Sequence, residues 1–365
     1  MAEVRVRRAL PGDGDALLQA AERINNETEF LGVPGEGHPW DGRPAEELRR
    51  LEEHGYGVVF LALDGTEIVG YLSAFAGGLA RSRGNIFIAV VGLREGYRGR
   101  GIGTRLFEAV EEWARARGAW RLELRVSSLN ERGQGLYRKR GFAVEGTIRQ
   151  GVLRSGVWTD DLWMGKLLDP WAAPLPAASL DTVSPRQSGR HGVGRLVVRE
   201  LRAGDGAIFR DWEMRMVSTS PYALKLPGEV GDAETIERDI GAPAGEPRLW
   251  LVAAQPDMYG PEAIVAFATG SIELRFRMQH DAFVSVSVLP EWAGQGLGRR
   301  LHGRIEEWAR GFGARRLTAT ISAPNAAGRG FAAALGYRQE VVMCSQVRFE
   351  GRPVDRLRLG KLLVG

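Results

Sequence analysis

Between positions 86 and 93 every residue is apolar or glycine, and a bounded run of that length predicts a buried strand. A polar turn follows, then glycines at 99, 101 and 103. From 104 to 117 the side chains of Leu106, Ala109, Val110, Trp113 and Ala114 recur at helical spacing, with Gly118 as a stop. That stripe predicts an amphipathic helix. Upstream, residues 4–8 alternate as a first strand, 15–26 and 44–53 read as helices, and 58–63 and 68–74 form a hairpin about Asp64-Gly65. Downstream, 120–126 alternate as a strand and 132–140 form a short helix closed by Gly141. Strands near 142–148 and 162–167 complete the unit. The expected fold class is α/β (α+β): a mixed, mainly antiparallel sheet flanked by helices.

The pattern then repeats. A shift of 195 places Gly101 on Gly296 and Gly103 on Gly298, and Glu111-Glu112-Trp113-Ala114-Arg115 on Glu306-Glu307-Trp308-Ala309-Arg310. It also superposes Asn130 on Asn325, Gly141 on Gly336, Asp160 on Asp355 and Gly165-Lys166-Leu167-Leu168 on Gly360-Lys361-Leu362-Leu363. One offset held across strand, turn and helix identifies a tandem duplication. The stretch 171–194 is rich in Pro, Ala, Ser and Gly without periodicity and reads as a linker. The expected modules are therefore 1–170 and 195–365.

Composition narrows the class. With 365 residues, 44% hydrophobic and 26% charged, the chain has the make-up of an ordinary two-domain globular protein. A net charge of +4 and the absence of a long basic run argue against nucleic acid as a partner. There is neither an apolar signal core at the N-terminus nor an 18-residue apolar span, so no membrane is expected. A single cysteine, Cys344, fits a reducing, cytoplasmic setting.

A strand that feeds a glycine turn opening a helix is suited to holding phosphate, because first-turn amides lack partners and the helix dipole is positive there. No Gly-Lys-Ser/Thr follows the glycines, which excludes a Walker loop, and Thr104 after Gly103 breaks the dinucleotide spacing. What remains is Arg98-x-x-Gly101-x-Gly103, followed by helix, strand, Asn130, Leu136-Tyr137 and Gly141-Phe142. In this order the motifs resemble the GNAT superfamily of acyl-coenzyme-A-dependent N-acetyltransferases, and the resemblance covers most of each module.

The resemblance implies acetyl-CoA as co-substrate, with no metal, and direct attack by a primary amine of a small molecule or peptide. It implies that Arg98, Gly99, Arg100, Gly101, Ile102, Gly103 and Thr104 hold the pyrophosphate and that Val91, Gly92 and Leu93 hold the pantetheine arm, with Gly92 supplying a bulge. Asn130 would contact the cofactor arm and Tyr137 would protonate the departing thiolate. For the base, Glu27, Glu29, Glu36, His38 and Asp41 lie in the acceptor segment. Glu29 is favoured because Phe30-Leu31 suggests a partly buried setting, and Asp160 and Asp161 are further candidates. In the second copy Arg98 becomes Ala293 and Tyr137 becomes Ala332, while Gly294, Gln295, Gly296, Gly298 and Asn325 keep a possible second cofactor site. The first module is thus expected to be active and the second degenerate, in a monomer or homodimer. The rival readings are a non-catalytic acyl-CoA-binding or regulatory tandem protein, and an acetyltransferase of the mycothiol synthase type.

Overall fold

A computed structural model describes residues 3–31, 43–154, 156–168, 196–242, 247–255, 262–272 and 280–363. The stretch read as a linker lies outside the described residues. The first half contributes β1 (Arg5–Arg8), α1 (Gly14–Asn26), α2 (Pro44–His54), β2 (Gly57–Asp64), β3 (Glu67–Ala76) and β4 (Asn85–Leu93). It continues with α3 (Ile102–Ala116), β5 (Arg121–Ser127), α4 (Glu131–Lys139), β6 (Ala143–Arg154) and β7 (Val157–Leu167). The second half repeats the order: β8 (Val197–Glu200), α5 (Gly206–Thr219), α6 (Ala233–Gly241), β9 (Arg248–Gln255), β10 (Ala263–Ile272) and β11 (Asp281–Val288). Then come α7 (Leu297–Gly311), β12 (Arg316–Ser322), α8 (Ala326–Ala334), β13 (Arg338–Phe349) and β14 (Arg352–Leu362).

All strands join one sheet in the order β1-β2-β3-β4-β5-β7-β6-β13-β14-β12-β11-β10-β9-β8. The order is symmetric about the contact of β6 with β13. Pairing is antiparallel except for β4 with β5 and β11 with β12, where α3 and α7 supply the crossovers that parallel strands need. On one face of the first half, Ile102, Leu106, Phe107 and Val110 of α3 pack against Val58, Leu72, Ile86 and Leu122. On the other, Leu17 and Ile24 of α1 and Leu51 of α2 cover Val59, Leu61 and Tyr71.

β6 and β7 are longer than the alternation predicts. The register of β6 against β7 slips between Ile148 and Val152, and Gln150 takes φ 49°, a left-handed value that breaks the period-two pattern. The Gln150 amide donates to Asp160 Oδ1 at 2.8 Å. The second half repeats the device: Ser345 at φ 52° donates its amide to Asp355 Oδ1 at 2.7 Å. Asp160 and Asp355 recur at the same offset because each holds such a bulge in place.

The two bulges hook the halves together. Trp120 Nε1 donates to the Ser345 carbonyl at 2.9 Å, and His280 Nε2 donates to that of Gln150 at 3.0 Å. Arg121 bridges Glu145 and the Cys344 carbonyl, and in the same manner Arg316 bridges Glu340 and the Arg149 carbonyl. At the centre Gly146 pairs with Val341, positions related by the 195 offset (341 − 146). A Cβ on Gly146 would lie 2.1 Å from the Glu340 carbonyl oxygen. Gly146→Val is therefore expected to pry β6 from β13 and to destabilise the protein by about 1–3 kcal/mol, the usual range for overpacking. Chemical denaturation checks this, and an unchanged midpoint would contradict the close approach.

Candidate active site

β4 and β5 run together only from Asn85 opposite Arg121 to Ile88 opposite Leu124. Beyond that point residues 89–93 and 125–127 continue as strands but no longer pair with each other. The result is a fork whose facing edges carry backbone donors and acceptors, and such an edge takes up an extended ligand as an added strand. The fork begins at a bulge. On β3, Ser73 and Ala74 are adjacent, but their partners on β4 are Val90 and Ile88, so Ala89 is the extra residue. The bulge expected at Gly92 is thus at Ala89. Gly92 has a different reason to be glycine, since a Cβ there would stand 2.8 Å from Ile24 Cγ2 and crowd α1 off the sheet.

Below the fork lies the glycine turn. Gly99 and Gly101 have φ of 80° and 77°, which only glycine adopts without strain, and Gly101 caps α3. The helix begins at Ile102, two residues before the predicted start. Among the described residues the amides of Gly101, Ile102, Gly103 and Thr104 find no acceptor, which leaves a cradle of N–H groups at the positive end of the helix. Gly103 serves packing as well: its Cβ would meet Leu136 Cδ2 at 3.0 Å, so α4 could not lie as close to α3.

The Arg98 side chain is engaged with protein. Its Nε donates to the Leu93 carbonyl at 3.0 Å and its Nη2 to that of Glu27 at 3.2 Å. It braces the end of β4 against the segment after α1. Arg100 is exposed, with its guanidinium 5.2 Å from the centre of the Tyr97 ring. Asn130 caps α4 by accepting the Gly133 amide at 2.9 Å, a role common to asparagine at a helix start. Tyr137 is half-buried, its ring edge-on to Phe107 and Phe142 with centroids 5.6 and 6.3 Å away. Burial pushes its phenol up to about 12, so at neutral pH it is protonated and able to donate.

On the opposite face of the sheet lie the described residues that the resemblance placed near the acceptor. Glu29 is exposed, against the expectation of partial burial, because Phe30 lies under the guanidinium of Arg154 (5.5 Å) and leaves the neighbouring carboxylate outside. Arg154, itself buried, donates to the Glu29 carbonyl and so ties the β6–β7 hairpin to the chain after α1. Glu27 accepts the Glu95 amide and pairs with Arg94 at 2.8 Å. Burial disfavours its charged form, but the Glu95 amide and Arg94 outweigh this and hold the carboxyl below its usual range. It is a structural anion. Glu36, His38 and Asp41 lie outside the described residues. Asp160 is occupied by the Gln150 amide, whereas Asp161 is buried and pairs with Arg125 Nε at 2.6 Å. Sequence reading passed over Arg125, because its partner lies two strands further along the chain and no local pattern links them.

The second half keeps part of this arrangement. Gly294 and Gly296 have φ of 78°, Gly296 caps α7, and Asn325 accepts the Gly328 amide at 2.9 Å. The fork is present too, since β11 pairs with β12 only from Asp281 to Phe283. The bulge is not: β10 and β11 stay in one register from Ala266 opposite Val288 to Ile272 opposite Ala282. Ala332 replaces the tyrosine, and the layer beneath is rebuilt with His302, whose Nε2 lies 2.9 Å from the Tyr337 hydroxyl.

With this geometry in view, the acetyltransferase (GNAT) family model matches residues 18–142 and again 220–337. The chain belongs to the GNAT family of acetyltransferases. Two GNAT modules stand in tandem, and the protein is an acetyltransferase. It is 30% identical over 142 residues to an L-methionine sulfoximine/L-methionine sulfone acetyltransferase of Pseudomonas aeruginosa, a match covering 36% of this chain and 80% of the relative. Among solved structures it resembles a GNAT acetyltransferase from Streptococcus pneumoniae at 28% identity, covering 46% of this chain and all (100%) of that one, with a TM-score of 0.43. A ribosomal-protein-alanine N-acetyltransferase from Brucella melitensis is 27% identical over 45% of this chain and 99% of its own, with a TM-score of 0.39. Among the described residues no helix is long and apolar enough to cross a membrane, and no cluster of side chains is suited to a metal ion.

Proposed function

We propose that the chain is an acetyl-CoA-dependent N-acetyltransferase whose first module carries the chemistry, passing the acetyl group directly to a primary amine in a ternary complex. The observation that carries this reading is an asymmetry. The bulged fork and the half-buried Tyr137 occur together in the first half, while the second has a regular β11 and Ala332. The amides of residues 101–104 would hold the pyrophosphate, and the open edge of β4 at Val91, Gly92 and Leu93 would hold the pantetheine arm as an added strand. A β4 amide aimed at the thioester oxygen would stabilise the charge that develops there, a contribution typically of about 3–4 kcal/mol. Tyr137 would give its proton to the leaving thiolate. The acceptor named for the Pseudomonas relative, a small amino-acid derivative, supports a small amine as the acceptor class here.

Matched loop variants test the assignment. In Gly101→Val the left-handed backbone is strained by about 1–2 kcal/mol, enough to weaken CoA binding at that cradle roughly tenfold. Turnover with an amine panel is expected to fall in Gly101→Val and to hold in Gly296→Val, which carries the same strain in the second half. Equal losses in both would contradict a single active module. Calorimetry with CoA on the two variants reports in parallel whether the second cradle of Gly294, Gln295, Gly296, Gly298 and Asn325 also binds.

A further inference from the structure

Among the described residues Asp161 is the one carboxylate with a buried oxygen left unpaired, although several buried guanidinium nitrogens, such as Arg358 Nε, are unpaired too. Asp161 is 4% exposed, its Oδ2 accepts Arg125 Nε at 2.6 Å, and its Oδ1 is buried with no hydrogen-bond partner among the described residues. A buried carboxylate oxygen left unpaired is unfavourable unless something that binds there completes it. Its position says what that would be. Asp161 pairs with Ser127, in the part of β5 that has already parted from β4. By strand alternation its side chain shares a face with Trp163 and, across the fork, with Val90, which packs on the α1 side. That is the face opposite α3 and its amide cradle. Arg125, one residue past the last β4–β5 pair, holds Asp161 by Nε and the Gly151 carbonyl by Nη2 at 2.6 Å, which fixes the carboxylate across three strands.

The duplication supplies a comparison within one chain. At the offset of 195, Asp161 corresponds to Arg356 and Arg125 to Thr320, so the sign of the charge at this point is reversed. A guanidinium cannot accept an N–H and repels an ammonium group. The carboxylate thus keeps company with the bulged fork and Tyr137, and is lost where they are lost.

We propose that Asp161 Oδ1 is the anchor and proton acceptor for the attacking amine in the first module. The inference rests on the reading that this module is the active one. The amine nitrogen donates to Oδ1, directly or through one water, and attacks the thioester carbon. As the C–N bond forms, the N–H proton passes to Asp161. The C–S bond then breaks, the thiolate takes the Tyr137 proton, and solvent exchange returns one proton to Tyr137 and removes one from Asp161. The products are an amide and free thiol.

Steady-state kinetics of Asp161→Asn, Asp161→Glu and Tyr137→Phe with acetyl-CoA and a reactive amine test this, alongside calorimetry with CoA. In Asp161→Asn, kcat/KM for the amine is expected to fall by about 10²-fold with CoA affinity unchanged. Asp161→Glu keeps the ion pair and with it the fold, but displaces the oxygen by a methylene and raises the amine KM by up to about 10²-fold. Wild-type amine kinetics in both Asp161 variants, with Tyr137→Phe impaired, overturn the inference and leave the active-module reading standing. Wild-type kinetics in all three overturn that reading as well. Should Asp161→Asn lose CoA binding through misfolding, Asp161→Glu decides: a raised amine KM at unchanged CoA affinity supports the anchor, and an unchanged KM removes it.

Discussion

Replacing Tyr137 with phenylalanine is expected to lower kcat by about 10²–10⁴-fold, the contribution of a positioned proton donor, while leaving CoA affinity and thermal stability at wild-type values. The structure separates these readouts. The Tyr137 ring is held by Phe107 and Phe142 through edge contacts that a phenylalanine keeps. Its hydroxyl makes no hydrogen bond among the described residues, so its removal leaves no buried partner unsatisfied. The pH dependence follows from the same burial. A general acid must be protonated, and a phenol pushed up to about 12 stays so well beyond neutrality. No loss of rate from this group is therefore expected between neutral pH and about pH 10, where an ordinary tyrosine is already half ionised. Stopped-time assays of thiol release across that range check both points. A kcat unchanged in Tyr137→Phe would remove the hydroxyl from the reaction.

Arg121→Met is expected to destabilise the protein by about 3–5 kcal/mol, the loss found when one partner of a buried ion pair is removed. Arg121 is fully buried, with Glu123 at 3.2 Å and Glu145 also in contact, and it donates to the Cys344 carbonyl at 2.7 Å across the seam. Burial alone would favour its neutral form, but the two carboxylates overcome this and raise it above the usual arginine value. With methionine in its place, Glu145 loses its cation, Glu123 is left with the neutral donors Asn85, Trp163 and Gln346, and a bond between the halves is gone. Urea denaturation followed by tryptophan fluorescence measures the effect, since Trp120 and Trp163 both lie at this seam. A loss below about 1 kcal/mol would mean that the pair carries no more than a surface ion pair does.

Much of the fold was legible in the sequence because its signals are local. The run at 86–93, the stripe of Leu106, Val110 and Trp113, and the short helix closed by Gly141 each reflect a few neighbouring residues obeying one local rule. The duplication was legible for a related reason, since one offset fits many such signals at once. The bulge at Ala89 left no trace, because an alanine inside an apolar run looks the same in or out of register. The extended β6 and β7 were cut short where Gln150 breaks alternation. The expected partial burial of Glu29 is not met: two apolar neighbours suggested shelter, but Arg154, distant in sequence, takes that place. Arg98 matched a motif position and proved to brace Leu93 and Glu27, which no spacing reveals. Asp161 could be named as one of two aspartates, but only the three-dimensional partners of Asp160 and Asp161 tell them apart.

The meeting of Gly146 with Val341 also bears on how such a protein can change over time. In a dimer of identical chains, a residue on the symmetry axis faces another copy of itself, so a glycine there meets glycine and a valine meets valine. Joining both halves in one chain lifts that restriction. One side of the axis can become small and the other large, as at Gly146 and Val341. Likewise Arg358 rests on Trp163, its counterpart at the same offset, where two identical arginines would repel. Once the two sides of the seam were free to differ, so were the two clefts, and a charge reversal such as Asp161 to Arg356 could be tolerated in one without being imposed on the other.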